Sequence, residues 1–568
     1  MKSPSKPAPV PAVSASDARW LRPLLLALTA LLLLGVFSPP ISDTDFWWHL
    51  RTGQYIVEQQ KLPVPDPFAW TTARVQPAYP GEERTRNFNL THEWLAQGVL
   101  YLTWRAAGFA GVAAVRALLL ILVCAVVGLL CARRSGSFYG GVAGALACAA
   151  VLVPFALDRP YLVTFLFLAL TLAAMETRHW MWALPAVFAV WANCHGGYFL
   201  GFVVLVAYCA ESLWQRRRDG TLWAVTAACV AASAINPNGF GIFRTLLDYR
   251  SSYMQGRLLE WARPAVWPPA PFSVLLLAAG VLLVLGRRKV RLADWLLFAA
   301  FAVAAFTALR NTAFVGIVAP LWIAGAWPWR RPLPAAIRML APAVLVAAIA
   351  ALPIAGGYFQ FRAAEWKYPS GAADFLKAHD VREPLFNTYE HGGYLIWRLA
   401  PERRVFIDGR ALSDSLFLDY ARILYNHDDN DGKPSGEQLL DRYGVGTIVM
   451  NTFEPSTGNV YVLAPALADP SQTTWKLVYR DPQSVVFMRN PPAGVTPLNS
   501  LEVFTQMEAE CSLHLENEPQ YPRCARSLGD VFLKIGDRQR ARRWLAEYLE
   551  KSRQPDPEAS LALQRLLQ

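Results

Sequence analysis

From about residue 19 to residue 358, long apolar runs alternate with short polar or basic interruptions; beyond residue 359 the chain has the mixed pattern of a soluble protein. A hydrocarbon core takes ~20 helical residues, fewer where a helix is short or locally broken. The runs therefore predict spans at 21–38, 112–132, 138–157, 161–178, 180–194, 197–213, 222–236, 272–286, 292–309, 312–327 and 339–356, about eleven helices. The first run follows Lys2, Lys6, Arg19 and Arg22 and imitates a signal peptide. No small-x-small cleavage pattern follows it, so it is read as an uncleaved helix.

Past the last span the period changes. A helix-like segment at 371–379 is followed by strand-like runs at 404–408, 446–450, 475–479 and 485–488. Helices alternating with strands predict a small α/β domain. The tail from about 501 is helical and charged, and residues 521–551 resemble one tetratricopeptide-type hairpin. A single hairpin is too little for a solenoid, so it is expected to pack on its neighbours or to recruit a protein partner. The predicted fold class is an α-helical polytopic membrane protein followed by a small α/β soluble domain and a short all-α tail. Its parts are a cytoplasmic segment 1–20, a transmembrane unit 21–357 with a large outer loop 39–111, an extracytoplasmic α/β domain 358–495 and a tail 496–568.

Composition agrees: 54% of the 568 residues are hydrophobic and only 17% charged, against about a quarter charged in soluble domains. The net charge of +11 does not indicate a nucleic-acid partner, because the basic residues sit at the ends of apolar runs, as in Arg133-Arg134, Arg216 to Arg218, Arg287 to Lys289 and Arg330-Arg331. Such clusters mark the cytoplasmic side. The N-terminus is then cytoplasmic, and an odd number of spans puts everything after 357 outside. Of the eight cysteines, six lie in apolar runs as small core residues; Cys511 and Cys524 can form a disulfide if the tail is extracytoplasmic.

This threading collects the unusual polar residues in the outer turns. The first loop opens with Asp43-Thr44-Asp45-Phe46-Trp47-Trp48-His49-Leu50-Arg51. Carboxylates two apart can hold a divalent cation, or one can act as a general base; an ordinary hydrated helix exit with an interfacial Trp pair is the alternative. Further along, Asn89-Leu90-Thr91-His92-Glu93-Trp94 precedes an amphipathic stretch to Arg105 that can lie on the membrane surface. Here His92 and Glu93 are candidates for chemistry, and Thr91 for an N-cap. Arg159, in the turn Asp158-Arg159-Pro160, is a phosphate ligand or the partner of Asp158. His195 lies in the polar break Asn193 to Gly197, Glu260 in a proline-rich loop, and Arg310 between two apolar runs. A charged residue at such a position is functional by default. In the soluble part, Asp408 and Arg410 either reach a substrate or stabilise a turn, and the turn is the expected role.

The residues Asp43-Thr44-Asp45 with Trp48-His49, the Asn89-x-Thr91-His92-Glu93-Trp94-Leu95 run, Arg159-Pro160-Tyr161, Glu260-Trp261 and the stretch from Gly392-Gly393 to Asp408-Gly409-Arg410 resemble the GT-C superfamily of membrane glycosyltransferases, in particular bacterial relatives of the protein mannosyltransferases. The resemblance covers about residues 20–490. It implies a multi-pass protein of the bacterial inner membrane that transfers a sugar from a polyprenyl-phosphate-linked donor to an extracytoplasmic acceptor. Asp43 or Asp45 would be the base of an inverting reaction, and Arg159 and Arg310, with His49 or His195, would stabilise the departing phosphate. His49, Arg51, His92, Glu93, Arg159, His195, Glu260 and Arg310 are the candidate donor and substrate contacts. The resemblance leaves a divalent cation (Mg or Mn) at Asp43 and Asp45 optional. Rival readings are a transporter or flippase of a lipid-linked or anionic molecule, and a non-catalytic envelope assembly protein.

Overall fold

The computed structural model of the protein describes residues 19–254, 256–287, 290–326, 334–382, 384–455, 457–552 and 554–568. All but the last two residues of the expected cytoplasmic segment 1–20 lie outside them, as do Arg288-Lys289 and Arg330-Arg331 of the basic clusters.

After α1 (Leu21–Val36), the first loop folds into α2 (Phe46–Gln59) and α3 (Glu82–Thr91). Next comes α4 (Trp94–Ser135), which is two helices joined at Gly108. Gly108 has φ 60° and ψ −158°, a backbone that only glycine adopts without penalty. Its amphipathic first part is thereby set at an angle to the apolar part that follows. The remaining apolar helices are α5 (Phe138–Leu152), α6 (Tyr161–Thr177), α7 (Leu184–Cys194), α8 (Phe199–Trp214) and α9 (Gly220–Ser233). A short α10 (Gly241–Asp248) intervenes before α11 (Pro271–Leu285), α12 (Leu292–Thr307), α13 (Thr312–Ala326) and α14 (Ala335–Ala355). Among the described residues, five apolar helical segments are long enough to cross a membrane and six are shorter; together they occupy the eleven predicted positions. The chain is a polytopic helical membrane protein.

Two buried charge networks hold the bundle. Arg116, within α4, pairs with Asp158, and its Nε donates to the Phe37 carbonyl at 3.1 Å. The other network is a ring. Arg134 reaches Glu176 and Asp294, both at 2.8 Å; Arg291 reaches the same two at 2.6 and 2.9 Å. An ion taken from water costs several kcal/mol unless it is paired, so each network fixes the helices that carry it.

The soluble part contains α15 (Ser370–Ala378), β1 (Leu385–Asn387), α16 (Tyr389–Leu399), α17 (Asp414–Leu424), α18 (Gly436–Tyr443), β2 (Thr447–Met450), α19 (Leu463–Leu467), β3 (Lys476–Asp481) and β4 (Ser484–Met488). The sheet order is β1-β2-β4-β3, with β1 parallel to β2 and the other pairs antiparallel. Phe386 pairs with Ile448 and Ile448 with Phe487, and β1, β2 and β4 are buried throughout. Three of the expected strands form. The run 404–408 does not join the sheet: Val405 instead makes an isolated bridge with Ala69 of the first loop. β1 takes the place beside β2, and its three residues carry too little pattern to be seen in the sequence.

The tail helices α20 (Glu502–Asn517), α21 (Arg523–Lys534), α22 (Arg538–Lys551) and α23 (Pro557–Leu567) pack onto this domain. Val503, Met507, Leu528 and Phe532 share one core with Phe386, Ile448 and Phe487. Cys511 and Cys524 are disulfide-bonded.

The domain is seated on the first loop. Trp47 and Trp48, expected as interfacial rings, are buried in protein (3% and 5% exposed). Trp47 stands edge-on between Tyr368 and Tyr394, at 4.8 and 4.9 Å. Arg410 joins its own neighbour Asp408 (2.6 Å) to Asp66 of the loop (2.7 Å), and all three side chains are at most 2% exposed. Removing one partner of a buried charge network costs about 3–5 kcal/mol. Arg410→Met should therefore lower the melting temperature of the detergent-solubilised protein by several degrees; an unchanged melting curve would mean that this tie does not hold the domain.

Candidate active site

Arg159, in the turn between α5 and α6, lies at the meeting point of three carboxylates. Its Nε and Nη2 grip both oxygens of Asp43, the second at 2.8 Å. Its Nη1 reaches Asp45 at 2.9 Å and Glu260 at 3.5 Å. Asp43 also accepts from the Asp45 backbone N–H (3.1 Å), a local turn that aims both carboxylates at one point. Glu260 extends the chain of charges to Arg310 at 3.1 Å, and the Arg310 guanidinium lies 4.8 Å above the Trp261 ring. Arg159 thus turns away from Asp158, which pairs with Arg116 instead. That arginine passed unnoticed in the sequence, although a lone charge inside an apolar run was the signal for it.

A second group surrounds Glu93. His92 Nε2 is 3.4 Å from its carboxylate, His49 Nδ1 3.6 Å and His195 Nε2 4.0 Å. His195 interrupts the helical path with extended φ −167°, ψ 147°. Trp191 Nε1 donates to Thr164 Oγ1 (2.8 Å), whose hydroxyl lies 2.8 Å from His195 Nδ1, and the Gly197 N–H donates to the same nitrogen at 3.0 Å. Nδ1 is therefore the acceptor, and Nε2 presents its proton toward Glu93. His92 Nδ1 donates to the Phe88 carbonyl at 2.8 Å, which turns its Nε2 the same way.

Asp45, His49, His92, Glu93, Arg159, His195, Glu260 and Arg310 line one cavity of about 300 Å³. Asp43 stands behind Arg159 and is not in the lining. Arg51 is not part of the site: it points the other way along α2, with its guanidinium 2.6 Å from the Ala400 carbonyl. Thr91 is not an N-cap either. It ends α3, bonding back to the Asn87 carbonyl at 2.7 Å and accepting from Asn238 at 2.9 Å. Sequence reasoning missed Tyr249, whose hydroxyl meets Asn89, and the place of Gly409 in the lining. A Cβ on Gly409 would lie 1.9 Å from Asp45 Oδ1, so only glycine lets the soluble domain close on that carboxylate.

Burial acts on these groups in opposite senses. It raises the Asp43 carboxyl, but the Arg159 charge and its hydrogen bonds outweigh burial and hold it below the usual range. For Asp45, burial wins over Arg159 and is reinforced by the Asp43 charge, and its pKa rises to about 7. The Asp45 side chain keeps 16% exposure against 2% for Asp43. Burial lowers His49 to about 4 and His195 to about 3, so both imidazoles are neutral at pH 7.

Asp43, Asp45 and Glu260 converge on the Arg159 guanidinium, which compensates them, and among the described residues no group of three or more His, Cys, Asp or Glu side chains is arranged to hold a metal. A mostly apolar groove of about 140 Å³, lined by Val99, Leu100, Val112, Leu119 and Val163 together with Arg116 and Asp158, shares Arg159 with the site.

The chain has the GT-C fold. Among solved structures it is similar to the archaeal oligosaccharyltransferase AglB from Archaeoglobus fulgidus, in complex with an inhibitory peptide and a dolichol-phosphate: TM-score 0.53, 10% identity, over 86% of this chain and 77% of that one. No family model matches the sequence, and no curated protein does.

Replacing Arg159 by Met would leave Asp43 buried without a counter-charge, raising its folded pKa above the unfolded value. The resulting destabilisation is absent below the unfolded pKa of the carboxyl, where both states are protonated, and grows with pH up to the new folded pKa, above which it is complete. The melting temperature of the variant should therefore fall further below wild type at pH 8 than at pH 5. A gap independent of pH would contradict the pairing.

Proposed function

We propose that this protein is an inverting membrane glycosyltransferase. It moves a sugar from a polyprenyl-phosphate donor to an acceptor hydroxyl on the extracytoplasmic side, with Asp45 as the general base. The observation that carries the reading is the unequal pair: Asp43 is fully engaged by Arg159, while Asp45 faces the cavity with a raised pKa near the working pH of a general base. Asp43 acts through Arg159, as a positioning residue.

In the reaction the acceptor oxygen attacks the anomeric carbon from the face opposite the phosphate, and its proton passes to the Asp45 carboxylate. The bond from the anomeric carbon to the donor phosphate breaks, and its electron pair stays on the phosphate. Arg310 and Arg159 are the counter-charges for that developing anion. The Glu260 carboxylate bridges the two guanidiniums in the way a phosphate would, and with 38% exposure it is the member of the cluster most easily displaced by one. The neutral His49 and His195 supply no charge to the phosphate. The mostly apolar groove that shares Arg159 with the site suits a prenyl chain, and the similar AglB structure holds a dolichol-phosphate. Because Arg159 compensates the carboxylates, transfer on this reading needs no divalent cation. The Cys511–Cys524 disulfide supports an extracytoplasmic soluble domain, and the basic ends Arg133-Arg134 and Arg216 to Arg218 support a cytoplasmic N-terminus.

With purified protein and a polyprenyl-phospho-sugar, Asp45→Asn should lower kcat by about 10²–10⁴ while the donor still binds. Full activity in that variant ends the assignment. Protonated Asp45 cannot accept a proton, so kcat/KM should rise with pH to a plateau, with its midpoint near 7 rather than in the ordinary carboxylate range. A flat profile between pH 5 and 8 would point to another base. Arg310→Ala should raise the donor KM about tenfold or more, the loss of one charge-assisted contact, and chelation of divalent ions should leave the rate unchanged.

A further inference from the structure

A second cavity, of about 150 Å³, lies where the soluble domain meets the first loop, and it shares no lining residue with the transfer cavity. Its wall contains Thr44, the residue between the two aspartates, together with Trp366, Glu390, His391, Asn451 and Phe453. The approach is close: a Cβ on Gly393 would stand 2.5 Å from the Thr44 carbonyl oxygen, so Gly393 lets α16, with Glu390 and His391 in its first turn, sit against the first loop.

Most polar groups in this wall are committed. Glu510 accepts from the Thr452 N–H and hydroxyl at 2.8 and 2.6 Å, Lys367 pairs with Glu518 at 2.6 Å, and Glu390 Oε1 accepts from the Tyr461 hydroxyl at 3.0 Å. Among the described residues, Glu390 Oε2, His391 Nδ1 and Asn451 Oδ1 are buried without a hydrogen-bond partner. His391 and Asn451 are 5% and 3% exposed. Buried polar groups are nearly always bonded, and each one left unpaired is costly. Three in one wall, belonging to residues that line a cavity, have the character of ligand contacts.

The atoms also define the ligand. Asn451 Nδ2 donates to the Phe453 carbonyl, so Oδ1 is the acceptor. Glu390 brings a carboxylate oxygen and His391 a ring nitrogen that accepts or donates according to tautomer. A phosphate would add only acceptors to this set. A hydroxyl both donates and accepts, and so satisfies all three, while Trp366, with Lys367 over its ring at 4.9 Å, and Phe453 supply apolar surface to the same wall. We propose that this cavity binds a saccharide through Glu390, His391 and Asn451, and that it is the acceptor-side subsite of the transfer reaction. Its acceptor role rests on the transferase reading; saccharide binding itself does not.

The test is saturation-transfer NMR on the full-length protein in detergent without donor lipid. The probes are methyl glycosides of neutral hexoses, with inorganic phosphate and propylammonium as controls. At least one glycoside should bind, and Glu390→Gln and Trp366→Ala should each weaken binding about tenfold. Trp366 is half-buried, so its variant reports even if the Glu390 change disturbs folding. Absence of saccharide binding, binding unaltered in both variants, or preference for phosphate or amine would each overturn the proposal. Saccharide binding without sugar transfer would instead count against the transferase reading alone.

Discussion

Arg159 can exist where it does only because three carboxylates meet it there. A guanidinium removed from water is tolerated when opposite charge and hydrogen bonds surround it, and no single stretch of this chain supplies both. Asp43 and Asp45 come from the first loop, Glu260 from the turn at Leu259–Trp261, and Arg159 itself from the start of α6. The residue before it repeats the arrangement in the other direction, as Asp158 pairs with Arg116 inside α4. One turn is thus pinned on both sides by charge, and the loops that bring the partners must close over the same end of the bundle.

The same constraint explains why the soluble domain is part of the site. Asp45 Oδ2 is held by Arg159 from the membrane unit, while Oδ1 abuts Gly409 of the soluble domain. Next to Gly409, Arg410 is tied to Asp66 of the first loop, and its carbonyl accepts from Asn89 at 3.2 Å. The carboxylate most suited to accept a proton is therefore positioned from two sides, and displacement of the domain would alter its charge environment as well as its place.

Much of this was legible in the chain. Membrane helices announce themselves because apolar length is nearly sufficient evidence for them, and α6, at Tyr161–Thr177, falls within a residue of its predicted span. The polar turns were visible as interruptions, so His49, His92, Glu93, Arg159, His195, Glu260 and Arg310 were found individually. Their pairings were not, because adjacency in sequence suggested Asp158 for Arg159 and a helix cap for Thr91, while tertiary contacts decided otherwise. Arg51 shared a helix with His49 but faces Ala400, since residues two apart on a helix do not share a side. Gly409 stood in the sequence only as part of the Asp408-Gly409-Arg410 stretch: its role is an approach distance to Asp45, which a single sequence does not encode.

The cavity divides its charges unequally, and the division gives the proposed reaction its direction. On one side the Arg159 and Arg310 guanidiniums stand among the carboxylates of Asp43, Asp45 and the half-exposed Glu260. On the other, Glu93 faces two neutral imidazoles, and His195 directs an N–H that its own hydrogen bonds have fixed. An anionic leaving group is repelled by the Glu93 side and held by the arginines, whereas a sugar ring finds neutral donors and acceptors beside Glu93. Asp45 touches both regions, through its ion pair to Arg159 and its place in the shared lining. In the proposed reaction a base with that position would receive its proton as negative charge forms on the phosphate nearby. Protonation would remove the charge that Asp45 presents to Arg159 and leave the guanidinium to the new anion.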